Sequence, residues 1–188
     1  MWIMKLLPTK ILGCYEVFAP VHKDSRGTFT KTFNTTTFKE AGLCTSFKEQ
    51  YYSRSKRHVI RGLHFQLPPD DHTKLVYCTA GEVLDVVLDL RIGSPTYCKF
   101  FSTTLNAETG NMMYIPPGVA HGFCTPHQPA TLVYNQTTVY NQKNDTGIHW
   151  NSAGISWPIK NPQLSERDLS FLSLDDFISP FIFEKPLI

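Results

Sequence analysis

No apolar run in the sequence is long enough to span a bilayer, which takes about 20 residues as a helix. The opening, Met1-Trp2-Ile3-Met4-Lys5, is too short for a signal peptide, so a cytoplasmic protein that does not enter membranes is expected. There is no block of lysines and arginines, and the formal net charge is only +2, which argues against nucleic acid as a partner. Basic side chains are still available to gather around a small anionic ligand. There is no CxxC pair: Cys14, Cys44, Cys78, Cys98 and Cys124 are odd in number and scattered. That pattern fits buried, reduced thiols and excludes a disulfide framework. Cys124 lies near His121, but no nucleophile motif accompanies it. Low charge (18%) with 41% hydrophobic residues excludes a disordered chain, and 188 residues suffice for one domain with a real core.

What the sequence does have is punctuation. Thirteen prolines and eleven glycines interrupt short runs rich in Val, Ile, Thr, Tyr and Phe, a texture that predicts many short strands. The clearest runs are Lys74–Thr79, Glu82–Leu90, Tyr97–Leu105, Asn111–Ile115 and Ala130–Tyr140. Glu82–Leu90 is mostly apolar with interspersed acids, as in a strand buried on one face and part of the other. Helix signals are short. Thr35–Gly42 carries threonines fit to cap it and a glycine stop, and Ser165 stands at capping-box spacing before Asp168. No repeat or linker divides the chain, so residues 1–188 are expected to form one all-β domain, a jelly-roll barrel with short peripheral helices. The tail from Asp175 to Ile188 carries Phe177, Ile178, Phe181, Ile182 and Phe183. The segment from about residue 165 onward is therefore expected to pack on the barrel or on a second subunit.

Three segments stand out in composition: Ile60-Arg61-Gly62-Leu63-His64-Phe65-Gln66, Ile115–Phe123 around His121, and Tyr134-Asn135-Gln136-Thr137-Thr138-Val139-Tyr140. The first two echo the paired motifs of cupin barrels, which face each other inside the barrel and supply metal ligands. Here Gln66 stands where a second histidine ligand would be, and no glutamate follows at the expected position. A catalytic zinc or iron site wants three protein ligands of the right type, and His64 with His121 is too few. No metal is expected, and the histidines are read as acid–base or binding groups.

Taken in order, the segments Asp24–Phe29, Arg61–Gln66, Lys74–Val76, Asp85–Arg91, Gly93–Thr96, Ile115–Phe123, Ile155–Pro158 and Leu164–Asp168 resemble the dTDP-4-dehydrorhamnose 3,5-epimerase family, the RmlC-like nucleotide-sugar epimerases. The resemblance covers nearly everything from Asp24 to Asp168. It implies a homodimeric cupin-type barrel without metal or organic cofactor, acting on a nucleotide-diphosphate 4-keto-deoxysugar. It also implies His64 as general base with Asp168 as its partner, Lys74 near the C4 oxygen, and Tyr134 as the acid on the opposite face. Tyr140 would line the sugar site, and Arg26, Arg61 and His121 would bind the diphosphate or sugar. Phe29, Lys31, Glu49 and Tyr51 fall in segments that the resemblance puts at the nucleotide end.

The chemistry explains these residue types. A hydrogen beside a ketone is removable only if the enolate oxygen is stabilised, so a cation belongs at the C4 oxygen. Histidine supplies a base near neutral pH, and a carboxylate fixes its tautomer. A diphosphate calls for arginine forks, since the chain has no glycine-rich phosphate loop. Read without the resemblance, Asp168 is a helix cap, the two tyrosines are packing aromatics and Lys74 is a surface charge. Trp150 and Trp157 read as core. His22, His58, His72, His127 and His149 read as solvent-exposed.

The departures from the family pattern lie at the nucleotide end. Lys31 stands where the family has a glutamate, and Glu49 and Tyr51 replace a glutamine and an asparagine. A carboxylate acceptor with an ammonium donor matches cytosine better than thymine, which points to CDP as carrier. A simple Lys31–Glu49 pair is the plainer alternative. The same barrel could also serve a 3,4-ketoisomerase or a non-catalytic sugar-nucleotide binder.

Overall fold

The computed structural model describes residues 4–184; the first three residues and the last four, which end the apolar tail, lie outside them. Among the described residues the chain forms thirteen strands and two short helices, the all-β jelly roll that the sequence predicts. One sheet runs β1 (Lys5–Pro8), β2 (Tyr15–Phe18), β10 (Asn111–Ile115), β7 (Lys74–Ala80), β12 (Ala130–Gln136), β5 (Glu49–Ser55). The facing sheet runs β13 (Asp145–Gly147), β6 (Ile60–Gln66), β11 (Val119–Cys124), β8 (Glu82–Asp89), β9 (Phe100–Asn106). A separate hairpin pairs β3 (Val21–Asp24) with β4 (Gly27–Thr30).

Side chains alternate across each strand, and this period of two builds the interior. Val76, Val83, Val87, Leu105, Met113, Phe123 and Leu132 fill the space between the sheets. The outer face of the second sheet, with Leu63, Phe65, Leu88 and Leu90, is covered by the C-terminal segment. There Phe65 meets the ring edges of Phe177 and Phe181 at 5.3 and 5.6 Å. On the outer face of the first sheet, Phe38 from α1 (Thr35–Glu40) covers Leu75, Met112 and Tyr114.

Several local expectations shift. The α1 cap is Asn34, whose side chain accepts from Thr37 N at 3.0 Å, and not a threonine. In α2 (Glu166–Leu169) Ser165 does accept from Asp168 N, at 3.1 Å. β9 begins at Phe100 because the chain turns first, with Cys98 N donating to Asp89 O. β12 ends at Gln136, so Tyr140 lies beyond the strand. The acids of β8 are not on a wet face: Asp85 and Asp89 are fully buried. Asp89 is satisfied by Arg91, Ser94 and Thr96. The thiols are free, with Cys14, Cys78 and Cys124 buried and Cys44 and Cys98 half-buried. Trp150 and Trp157 are half-buried. Of the histidines expected at the surface, His22 and His127 are exposed, His58 and His149 are half-buried, and His72 is buried.

Gly62 is what lets β6 and β11 approach. Its φ is +139°, and a Cβ there would sit 2.5 Å from Gly122 Cα. Gly62→Ala is therefore expected to destabilise the fold by about 2–4 kcal/mol. Urea unfolding should show a lower midpoint with an unchanged slope; an unchanged midpoint would mean the strands can part at no cost.

Candidate active site

The antiparallel register of β6 and β11 sets His64 directly beside His121. Each carries a carboxylate, but the two pairs differ in access. His64 Nε2 is 2.8 Å from Asp168 Oδ1, and the His64 side chain is 27% exposed. His121 Nε2 is 2.6 Å from Asp85 Oδ1, and its side chain is 3% exposed. Of the two, only His64 is open enough to meet a ligand. Asp168 is held by α2, and its second oxygen accepts from Gly62 N at 3.3 Å. Burial pushes the Asp168 carboxyl up, but the hydrogen bond and charge of His64 outweigh it and hold the group below the usual carboxylate range. With Asp168 ionised, His64 Nε2 is the donor and Nδ1 carries the lone pair. Burial, only partly offset by Asp168, lowers the imidazole below its ordinary value, so it is a neutral base at pH 7.

Lys74 begins β7 and points inward. It is 5% exposed, and Nζ donates to His64 O at 3.1 Å. Burial takes its pKa down to about 8. Register places Gln136 opposite Lys74 and Glu49 opposite Gln136, with Tyr134 opposite Tyr51 one step along. The two tyrosine rings stack at 4.7 Å and 16°. Tyr134 OH pairs with Ser53 Oγ at 3.1 Å, and Tyr51 OH accepts from Gln136 Nε2 at 2.7 Å. Burial keeps both phenols protonated well above neutral pH.

A cavity of about 340 Å³ opens onto this row. Its walls include Lys74, Glu49, Tyr51 and Tyr140 from the sequence-predicted set. His64 stands behind Lys74 through the Nζ–carbonyl bond, and Tyr134 lies beneath Tyr51. Glu49 is half-buried, and its carboxylate accepts from Tyr140 N at 2.7 Å. His121 is further in, its ring edge-on to Tyr134 at 6.1 Å. Arg61 is exposed and donates to Ser55 Oγ at 3.0 Å. Arg26, Phe29 and Lys31 line no part of this cavity: Arg26 forks onto Asp24, Phe29 is exposed on β4, and Lys31 borders a recess with Asn34 and Thr37.

Sequence reasoning missed six wall residues: Phe65, Gln66, His72, Gln136, Asp145 and Arg167. Arg167 pairs with Asp145 at 2.8 Å and lies over the Phe171 ring. Its neighbour Asp168 in the helix motif was the available signal. Gln66 donates to Asp70 O and accepts from Asn141 N, so both ends of its amide serve the loops around the cavity.

A family model described as dTDP-4-dehydrorhamnose 3,5-epimerase matches residues 8–176. The chain belongs to this family. The dTDP-4-dehydrorhamnose 3,5-epimerase of Shigella flexneri is 41% identical, over 93% of this chain and all of that one. The dTDP-4-dehydrorhamnose 3-epimerase of Streptomyces niveus is 37% identical, over 91% and 84%. A Legionella pneumophila 3,5-epimerase solved with dTDP-4-keto-L-rhamnose superposes with a TM-score of 0.92 at 31% identity, covering 97% of this chain and all of that one. As a member of the epimerase family the chain is an isomerase, built on a cupin-type jelly roll. No helix among the described residues is long and apolar enough to cross a membrane.

In this epimerase barrel Lys74 is a destabilising charge below pH 8, because the unfolded chain solvates it freely. Between about pH 8 and the ordinary lysine value of about 10.4 the native state sheds its proton first, so that handicap fades. Lys74→Met is therefore expected to be about 1–3 kcal/mol more stable than wild type at pH 7, with the gain shrinking above pH 9. Denaturant titrations at pH 7 and 10 check this; a less stable variant at pH 7 would overturn it.

Proposed function

We propose that this chain inverts C3, C5 or both in a 4-keto-6-deoxyhexose carried on a nucleoside diphosphate, with the whole chain acting as one domain. What supports this is a partly exposed neutral imidazole on one sheet and a protonated phenol on the other, each next to a residue that lines the cavity, His64 bonded to Lys74 and Tyr134 stacked on Tyr51. His64 rises from the second sheet, and Tyr134 from the first. A sugar between them meets a proton acceptor on one face and a donor on the other, which inversion requires.

His64 Nδ1 takes the proton beside the ketone. Asp168 steadies the resulting imidazolium, and the Lys74 ammonium stabilises the enolate at the C4 oxygen. Tyr134 then returns a proton from the opposite side, and solvent entering as product leaves takes the proton from His64 and gives one back to Tyr134. Tyr140 and Arg61 contact the sugar nucleotide around this centre, with His121 holding the floor under Tyr134. We read the reaction as needing neither metal nor organic cofactor, since Gln66 spends both ends of its amide on neighbouring loops.

Solvent-deuterium incorporation at C3 and C5, followed by NMR, tests the mechanism. Exchange is expected in wild type, lowered about 10²–10⁴-fold in His64→Ala, and indifferent to chelators. Its pH profile should be bell-shaped, rising below pH 6.5 as His64 becomes neutral and falling near pH 8 as Lys74 loses its charge. A moved carbonyl would instead mark a ketoisomerase, and nucleotide binding without exchange a binding-only barrel.

The carrier reading rests on Glu49 and Lys31. A carboxylate accepts equally from the cytosine amine or thymine N3–H, and it is Lys31 beside the cytosine N3 that would favour CDP. Lys31 does not line its own chain's cavity, so it reaches one only from a second subunit, together with Arg26 and Phe29. The CDP reading thus requires a homodimer in which the β3–β4 region is shared. Light scattering should give two chains per particle, and competition among CDP, dTDP, UDP and GDP should favour CDP. Tightest binding by dTDP, the carrier in the relatives' names, overturns the CDP reading and leaves the epimerase reading intact.

A further inference from the structure

His72 lies two residues before Lys74 on the extended approach to β7, and both residues line the cavity. It is 7% exposed, and its Nε2 is buried without any hydrogen-bond partner. Its other nitrogen is engaged: Nδ1 lies 3.1 Å from Thr138 Oγ1 and 3.3 Å from both Asp70 O and Gln66 Nε2. The Thr138 hydroxyl donates to Asp70 O at 2.8 Å, so its oxygen is left to accept. Gln66 Nε2 donates to Asp70 O as well, at 2.9 Å. Two acceptors around Nδ1 assign it the proton. Nε2 therefore presents a lone pair and lacks a donor. Burial, aided by the Lys74 charge, takes the imidazole pKa down to about 3, so this lone pair persists at every pH where the protein works.

A buried acceptor left without a partner, on a residue that lines the cavity, asks for a donor that a bound molecule can bring as it seats against His72. The neighbouring Lys74 ammonium repels a cationic donor, which leaves a hydroxyl. If Lys74 holds the C4 oxygen, as the proposed function has it, the adjacent substituents are the C3 hydroxyl on one side and the C5 methyl-bearing carbon on the other. Only the first can donate. We propose that His72 Nε2 accepts a hydrogen bond from the C3 hydroxyl, making His72 a specificity residue that selects 3-hydroxy over 3-deoxy 4-keto sugars. This inference rests on the reading of Lys74 given above.

The test compares the 4-keto-6-deoxy sugar nucleotide with its 3-deoxy counterpart, reading exchange at C5 in both. Wild type should favour the 3-hydroxy sugar in kcat/KM by about tenfold or more, because a buried acceptor left empty is costly. His72→Asn keeps an amide near Nδ1 and removes the acceptor at Nε2. It should lose about tenfold on the 3-hydroxy sugar and little on the 3-deoxy one. His72→Gln, which returns a polar group near Nε2, should recover part of the loss. Equal losses of His72→Asn on both sugars would assign His72 a structural role and overturn the proposal. So would a wild type that does not discriminate, whether or not the variants fold. If exchange proves independent of His64, the mechanism fails first, and binding still tests His72. His72→Asn should then weaken the sugar nucleotide about tenfold and leave the nucleoside diphosphate alone unchanged, whereas unchanged affinity for both would overturn the proposal.

Discussion

A lysine ammonium inside a barrel is the constraint around which this site is arranged. Removing such a charge from water costs several kcal/mol even after local relaxation. Lys74 cannot relieve that cost by reaching out, because β7 is hydrogen-bonded on both sides, by β10 and β12, and its side chain emerges on the inner face. Offsetting contacts have to be brought to it. The His64 carbonyl supplies one acceptor, and the carboxylates of Asp145 and Asp85 supply opposing charge. Asp145 in turn is shared with Arg167, so the cavity is lined by an ion pair as well as by Lys74.

The same logic separates the two histidine–carboxylate pairs. His64 and His121 are register partners on adjacent strands, yet their carboxylates arrive differently. Asp85 comes from β8, inside the same sheet, and its pair is sealed; burial pushes the Asp85 carboxyl up against the pull of His121, and one of its oxygens has no partner. Asp168 comes from far along the chain, on a short helix capped by Ser165. The segment after that helix packs Phe177 and Phe181 on Phe65, the residue next to His64. Orientation of the accessible histidine thus depends on the C-terminal segment, while the sealed pair depends on the barrel alone.

Much of this was legible in the sequence, and the divide is physical. The runs Lys74–Thr79, Glu82–Leu90, Asn111–Ile115 and Ala130–Tyr140 were readable as strands, because β-rich composition between turn residues is a local signal. The helix motif at Ser165 was readable because a cap is a local device. What escaped were pairings set by register between distant strands. Nothing near Asp85 announces His121, and nothing near Asp145 announces Arg167. His72 was misread for the same reason: its neighbours Asp70, Asp71 and Thr73 look like a wet loop, but Gln66 and Thr138 close over it. The family motifs pointed to the pairing of Asp168 with His64, where local sequence alone gives a helix cap.

A histidine base beside a buried lysine, as proposed for His64 and Lys74, suits the way burial acts on charge. Low dielectric disfavours the charged form of any group, so it lowers the pKa of both a histidine and a lysine. Their order is preserved, since lysine starts about four units higher. Here His64 lies below its ordinary value and Lys74 at about 8, so the imidazole is neutral and the ammonium charged over a common interval. A carboxylate base in the same place would behave oppositely. Burial would raise it toward the falling lysine, and close approach of the two values would let the base take the proton that the enolate needs opposite it. Asp168 escapes this because His64 and the Gly62 amide hold it ionised. In the proposed mechanism the carboxylate orients, the imidazole reacts, and the ammonium keeps its charge because burial has lowered the neighbouring imidazoles of His64 and His72 as well as Lys74.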